Sequence, residues 1–178
     1  MRTLIIIVSV LFLSLYSCRD MTEGYLITEN AGYNPDSLIV LKNVPESEYI
    51  TISNPAYEAG IDAGKTPQEL EQNGIFPTIQ KENEYYVRVK NNSPWKTLYL
   101  QGYEGTEPIT FEVEAVTSTA GDEAARVFKN ELIIRGKGYM SYPLKNNAVP
   151  GKYHVSIRLT NAGYSQVVTN VFTFIVIE

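Results

Sequence analysis

The chain has 178 residues, a formal net charge of −5 at pH 7, one cysteine, one Trp and 13 Tyr. An acidic chain without a basic run argues against nucleic-acid binding, which depends on Lys and Arg side chains that neutralise phosphates. A lone cysteine cannot form a disulfide within the chain, so the fold has to be stabilised by its hydrophobic core. The length allows one large domain or two small ones.

The chain begins with a short positive start and an apolar run that stops just before the cysteine. Arg2 precedes the apolar residues 4–16, and Ser17 follows them. This order is typical of a secretory signal, and the run Leu15-Tyr16-Ser17-Cys18 looks like a bacterial lipobox. We therefore expect residues 1–17 to be a lipoprotein signal peptide and Cys18 to become the lipidated first residue.

The two alternatives to this anchor are a transmembrane helix and ordinary secretion. A transmembrane helix needs ~20 apolar residues, and residues 4–16 fall short of that. Ordinary secretion would leave Cys18 as a free thiol, which is a liability outside the cell. Several acyl chains on Cys18 would instead hold the protein stably on a membrane. The residue directly after Cys18 is Arg19 rather than Asp, which favours the outer membrane, with residues 18–24 as a lipidated tether.

Residues 25–95 are predicted to form a small β-rich unit with one short helix. Strands are expected at 25–28, 37–42 and 49–53, and a further strand at 84–90 would place Tyr85, Val87 and Val89 on one face. Between them, Thr66 and Glu69 have the spacing of a capping box. Gly74 would end this helix, and Leu70 would pack on a sheet.

Residues 96–178 are predicted to be a β-sandwich. Strands are expected at 97–101, where Leu98 and Leu100 alternate, and at 132–135, 139–142, 152–160 and 168–177. Another strand would turn Ile109, Phe111, Val113 and Ala115 inward, and a loop would follow at 118–123. Several short strands separated by turn signals are typical of an antiparallel sandwich. The predicted fold class is therefore all-β.

The segment from Pro150 to Asn161, which reads PGKYHVSIRLTN, resembles the penultimate strand of immunoglobulin-like and cadherin-like bacterial domains. The resemblance implies that Tyr153 forms a tyrosine corner, whose hydroxyl bonds to upstream backbone. Together with the lipobox, it is similar to the surface lipoproteins of Bacteroidota, many of which are encoded beside glycan-uptake systems. That association implies carbohydrate handling, although a sandwich fold alone does not define a function.

The candidate chemistry is sparse. His154 is the one histidine, and strand alternation places it on the polar face, where a catalytic or zinc-binding role is not expected. Carboxylate pairs such as Asp122 with Glu123, or Glu112 with Glu114, could in principle serve glycoside hydrolysis. Trp95, Tyr99 and Tyr103 are the candidate ligand-binding residues, because exposed aromatic rings form platforms for sugars. The alternative for Trp95 is that it fills the junction between the two halves of the chain.

These patterns favour a non-catalytic outer-membrane lipoprotein, an accessory binding or assembly protein that assists polysaccharide capture. No cofactor and no metal are predicted. The expected partners are the membrane, through the lipid on Cys18, and a glycan or other outer-membrane proteins. The alternatives are a structural or adhesion component that makes protein–protein contacts through strand edges, and a glycoside hydrolase. A coplanar row of exposed aromatic rings would favour glycan binding over both.

Overall fold

The computed structural model describes residues 24–178 and has a β-rich fold with few helices, as the sequence predicted. The predicted signal peptide at 1–17, the lipidation site Cys18 and the tether up to residue 23 lie outside the described residues. Within the described range, the strands are β1 (Leu26–Ile27), β2 (Ser37–Leu41), β3 (Tyr49–Ser53), β4 (Thr78–Glu82), β5 (Trp95–Lys96), β6 (Glu104–Gly105), β7 (Thr110–Ser118), β8 (Ile133–Arg135), β9 (Tyr139–Tyr142), β10 (Gly151–Asn161) and β11 (Tyr164–Ile177). The helices are α1 (Pro55–Asp62), α2 (Pro67–Gln72), α3 (Tyr86–Lys90) and α4 (Asp122–Glu131). None of the helices between residues 24 and 178 has the length and apolarity needed to cross a membrane.

A four-stranded sheet in the order β2-β11-β10-β7 forms one layer of the core. β10 pairs antiparallel with β11 and β7, and β2 pairs parallel with β11. The strict alternation in β10 explains its central place, because one face carries four fully buried apolar side chains: Tyr153, Val155, Ile157 and Leu159.

Both neighbours of β10 contain a bulge at the level of Ser156. In β7, Glu114 has no partner residue on β10, and in β11 the pairing skips the residues around Asn170. Ser156 is buried there, and its hydroxyl accepts a hydrogen bond of 2.9 Å from the Asn170 amide. The single extra residue in β7 reverses which of its side chains face the core, because the side-chain period of a strand is two residues. In β11 two extra residues separate Val168 and Phe172, which lie opposite Ile157 and Val155, so the same alternation continues past the bulge.

The bulge in β7 corrects the predicted inward row of that strand. Ile109, Phe111 and Val113 pack on the core as expected, but Ala115 is exposed and Val116 packs in its place. Simple alternation cannot place an extra residue, so the prediction fails at the first position after Glu114.

A second layer is made by the three-stranded sheet β5-β9-β8 and by α4. The Phe128 ring of α4 stacks between Tyr142 of β9 and Tyr153 of β10, with ring centroids 4.0 Å and 4.3 Å away. Offset aromatic stacking and burial together make this trio the centre of the core. The predicted loop at 118–123 is therefore wrong in its second half, where α4 begins; α4 escaped detection because Ala125 and Phe128 are its only buried residues.

Two predicted strands are absent. Residues 86–90 form α3, which places Tyr85 and Val89 against the core and leaves Val87 64% exposed. A helical spacing of four residues fits that pattern, whereas a strand would bury Val87 with the other two. Residues 97–100 run as irregular backbone, with Leu100 buried and Leu98 exposed rather than both inward.

Residues 43–94 form a lobe that is richer in helix than predicted. The capping box of α2 is confirmed, since the Thr66 hydroxyl accepts from the Glu69 amide and the Glu69 carboxylate accepts from the Thr66 amide. Gly74, with φ +75°, follows the helix end as expected. However, Leu70 is buried against Gly60 of α1 rather than on a sheet, and the unit carries α1 and α3 in addition to the one predicted helix.

Strand pairing connects the predicted unit 25–95 with the predicted domain 96–178. β2 forms the edge of the four-stranded sheet beside β11, β1 pairs with β6, and β5 pairs with β9. Leu26, Tyr33 and Val40 belong to the same core cluster as the C-terminal strands. The described part of the chain thus shares one core, and the lobe is inserted between β2 and β5.

Candidate functional site

Trp95 is only 4% exposed and packs inside the protein. The Arg88 guanidinium of the α3 helix lies 4.5 Å from the centre of its ring, a cation–π contact. The Tyr85 ring lies 5.9 Å away. Trp95 therefore fills the junction between α3 and the core, the alternative considered from the sequence, and its face is not available to a ligand in this conformation.

Tyr99 is 56% exposed and lies beside Tyr139. The two ring centroids are 6.0 Å apart and the rings are inclined at 51°, so the pair forms a bent rather than a coplanar surface. Tyr103 is half-buried and packs edge-on against Phe111 at 5.3 Å. Burial raises the pKa of Tyr103, and the nearby Glu107 adds to this shift. Trp95, Tyr99 and Tyr103 therefore do not form one surface, and the aromatic neighbour of Tyr99 is Tyr139.

Tyr139 projects from the outer face of the sheet β5-β9-β8. The cross-strand pairs Arg135 with Tyr139 and Ile133 with Ser141 lie on that face, as does Lys96 opposite Ser141. The alternating residues of these strands point inward and are buried or half-buried: Trp95, Ile134, Met140 and Tyr142. We call the surface formed by Lys96, Tyr99, Ile133, Arg135, Tyr139 and Ser141 the platform.

The platform continues into a cleft of about 460 Å³. Ile133, Arg135 and Ser141 line this cleft as well as the platform, and its far wall is the loop that carries Pro143 and Lys145. The combination of apolar rings, aliphatic surface and a few convergent polar groups is typical of a ligand site.

Glu131 holds the wall of the cleft in place. Its carboxylate accepts hydrogen bonds from the Tyr142 hydroxyl at 2.7 Å and from the Asn147 amide at 3.1 Å. Burial raises the pKa of Tyr142, and the bond to Glu131 adds to the shift, so this hydroxyl remains a donor at neutral pH. The loop wall is therefore fixed by a hydrogen-bonded carboxylate at its base.

The other candidate groups lie on the opposite layer or at the surface. His154 is half-buried on the outer face of the four-stranded sheet, with Nδ1 3.0 Å from the Thr173 hydroxyl. Glu114 binds Arg158 at 2.7 Å, which lowers the pKa of its carboxyl group. The exposed Glu123 pairs with Arg126, and its pKa is lowered as well. A general acid for glycoside hydrolysis has a raised pKa, which is opposite in direction to the shift of these two carboxyl groups.

Among residues 24–178, no group of three or more His, Cys, Asp or Glu side chains could hold a metal ion. Comparison with family models, with curated proteins and with solved structures gave no significant match.

The sequence predicted Tyr99 as a ligand-binding residue, but it did not identify Arg135, Ser141 or Lys145. A signal was present, because the predicted strands 132–135 and 139–142 are separated by Gly136-Lys137-Gly138, and a hairpin would pair them. What was missing was the register, which decides that Arg135 and Tyr139 share a face.

Proposed function

We propose that this protein is a lipid-anchored, non-catalytic binding protein of the outer membrane that captures polysaccharide on the platform. The expected coplanar row of rings is not found, because Tyr99 and Tyr139 are inclined at 51°. Tyr99 carries the proposal by itself, because its ring is more than half exposed and lies beside a second ring, which leaves it open to a ligand from solvent. Sugar rings present apolar C–H faces that stack on such side chains. The adjoining cleft would accept a neighbouring sugar unit.

The order of the strands supports an immunoglobulin-like sandwich as the scaffold. In that fold, one sheet contains strands B, E and D as neighbours and the other contains C, F and G. If β5 is taken as strand B and β7 to β11 as strands C to G, the sheet β5-β9-β8 has the neighbours B-E-D. The sheet β7-β10-β11 then has the neighbours C-F-G. The tyrosine corner also fits, because the Tyr153 hydroxyl donates to the Val149 carbonyl at 2.7 Å.

Binding to a panel of polysaccharides tests the proposal. The full-length protein in detergent micelles should bind at least one polysaccharide, and Tyr99→Ala should weaken this binding by about tenfold, which corresponds to roughly 1.4 kcal/mol of lost stacking. Tyr49→Ala is the matched control, since Tyr49 is similarly exposed on β3 and lies outside the platform. Equal affinities for the two variants, or no binding to any member of the panel, would refute the proposed role of the platform.

The membrane attachment is tested separately from ligand binding. Mass spectrometry of the mature protein should find an acylated Cys18 as the first residue, and Cys18→Ser should move the protein from the membrane to the soluble fraction. A bare thiol in the mature protein would contradict the anchor but would leave the binding proposal intact.

One observation favours a second function, the capture of a protein partner by strand addition. β2 pairs only with residues 173–177 of β11, so the earlier part of β11 has no strand on its outer side within the described residues. Val167 is partly exposed there, opposite Arg158 of β10. Val167→Glu would add a charge that discourages strand addition, while Arg158 accommodates it. Loss of a copurifying protein in this variant, with unchanged polysaccharide binding, would support the second function.

A further inference from the structure

The cleft beside the platform is one of three adjoining cavities that all include Lys145 in their lining. The other two measure about 530 Å³ and 400 Å³. They lie between α3 and the loop after β9, and they share Glu46 and Val89 with each other. Because neighbouring cavities share lining residues, the three cavities and the platform lie side by side on one surface, which we call the groove. A succession of adjoining cavities suits a chain of linked units better than a single small molecule.

Positive side chains follow this groove along its whole length. The groove contains Lys96 and Arg135 on the platform, Lys145 at the centre, and Lys42 and Lys90 in the two further cavities. The ion pairs found among residues 24–178 involve Arg126 and Arg158, so none of these five cations is paired with a described carboxylate. The whole chain has a net charge of −5, whereas the cations that line the groove outnumber its carboxylates.

Two carboxylates, Glu131 and Glu46, also line these cavities. Glu131 keeps its negative charge, because the Tyr142 hydroxyl and the Asn147 amide that bond to it are neutral. Five cations against two carboxylates nevertheless leave an excess of positive charge along the groove. Unpaired cations in a groove with partly apolar walls attract an anionic ligand and raise its local concentration.

We propose that the polysaccharide bound by the groove is acidic, with carboxylate or sulfate groups that face Arg135 and Lys145 while a sugar ring stacks on Tyr99. This inference rests on the proposed function and names the chemical class of its ligand. Arg135 is suited to a planar carboxylate because its guanidinium presents two parallel donors. Lys96 lies with Nζ 6.0 Å from the Tyr139 ring, where it can contact the same chain.

The test uses two forms of one polymer. Polygalacturonate and the same polymer with its carboxyl groups methyl-esterified differ in charge but share a backbone. The full-length protein in detergent micelles should bind the acidic form at least tenfold more tightly. Arg135→Gln and Lys145→Gln should each weaken binding of the acidic form about twofold to fivefold, as expected for exposed charge pairs. Raising the salt concentration should weaken it further.

Lys152→Gln is the matched control, because Lys152 is exposed on β10 in the other layer, and it should bind as the wild type does. Comparing the affinity for a sulfated polymer with the affinity for polygalacturonate shows whether the groove prefers sulfate or carboxylate groups. Equal binding of the acidic and esterified forms, lost in Tyr99→Ala, would overturn the acidic class and leave polysaccharide capture standing. A panel in which no polysaccharide binds, acidic or neutral, would overturn both.

Discussion

The hydroxyl of Tyr153 ties the start of β10 to the loop before it. It donates to the Val149 carbonyl at 2.7 Å, while the ring is buried and stacks on Phe128. One side chain thereby fixes both the turn at Pro150 and the central strand of the core. This bond was expected from the resemblance to the tyrosine corner, and the structure confirms it.

Tyr153→Phe removes this hydrogen bond and keeps the ring. We expect a loss of about 1 kcal/mol in the free energy of unfolding, the usual contribution of one hydrogen bond, measured by urea denaturation. Tyr164→Phe is the control, because Tyr164 is exposed at the start of β11 and should leave the midpoint unchanged. Identical midpoints for the two variants would show that the bond does not stabilise the fold.

The ion pair between Glu114 and Arg158 predicts a pH dependence. The hydrogen bond from Arg158 lowers the pKa of Glu114 in the folded protein below its ordinary value of 4.5. The pair therefore stabilises the fold fully above that value and loses its contribution as the pH falls through the lowered pKa. Glu114→Gln should be less stable than the wild type at neutral pH, and the difference should shrink on acidification.

Urea midpoints measured at neutral pH and at about pH 3 check this expectation. Glu29→Gln serves as the reference, because Glu29 is exposed in a turn and takes no part in the ion pairs of the described residues. A constant difference between Glu114→Gln and the wild type at both pH values would contradict the linkage.

At the scale of elements, the lobe at 43–94 depends on two buried asparagines. Asn54 accepts from the Ala56 amide at the start of α1 and donates to the Phe76 carbonyl. Asn83 closes the base of the lobe by donating to the Pro45 and Ser47 carbonyls at 2.7 Å and 2.8 Å. Side-chain amides replace the strand pairing that would otherwise connect these irregular segments.

Asn83→Ala should open the lobe without unfolding the core. The Asn83 side chain also accepts a hydrogen bond from the Tyr85 amide. The substitution would leave this amide and the two carbonyls without their partner, and each loss would lower the free energy of unfolding by at most about 1–3 kcal/mol. Amide hydrogen exchange should therefore accelerate within residues 46–82 and stay slow in β10. Asn43→Ala is the control, because the Asn43 side-chain amide donates only to the exposed Glu178 carboxylate. This variant should leave the exchange rates of both regions unchanged. Equal acceleration in β10 would show that the lobe and core unfold together.

How far the sequence predicts these elements depends on what stabilises each one. β9, β10 and the end of β11 were predicted because they alternate or run apolar, and the α2 capping box because its signal is local. α3 was predicted as a strand because the spacing of four residues between Tyr85 and Val89 fits both a strand and a helix. The turn formed by the Asn83 side chain, which accepts from the Tyr85 amide, favours the helix. Arg135 joined the candidate site only through its pairing with Tyr139, which no local pattern contains.

At the scale of the molecule, the two layers have different surfaces. The outer face of the four-stranded sheet carries His154 and the Glu114–Arg158 pair, all engaged in polar contacts. The outer face of the three-stranded sheet carries an exposed aromatic pair and unpaired cations. Since folding gains little from exposed rings or unpaired charges, this second face is the one on which we propose that the ligand binds.

Hydrogen exchange of the full-length protein in detergent micelles, with and without polygalacturonate, tests this assignment most directly. We expect the ligand to slow exchange in residues 96–100 and 133–145, which contain the platform and the cleft wall, and to leave β3, β4 and the first half of β11 unchanged. Slowing confined to the β3–β4 pair or to residues 164–171, or no slowing in the presence of any acidic polysaccharide, would contradict it.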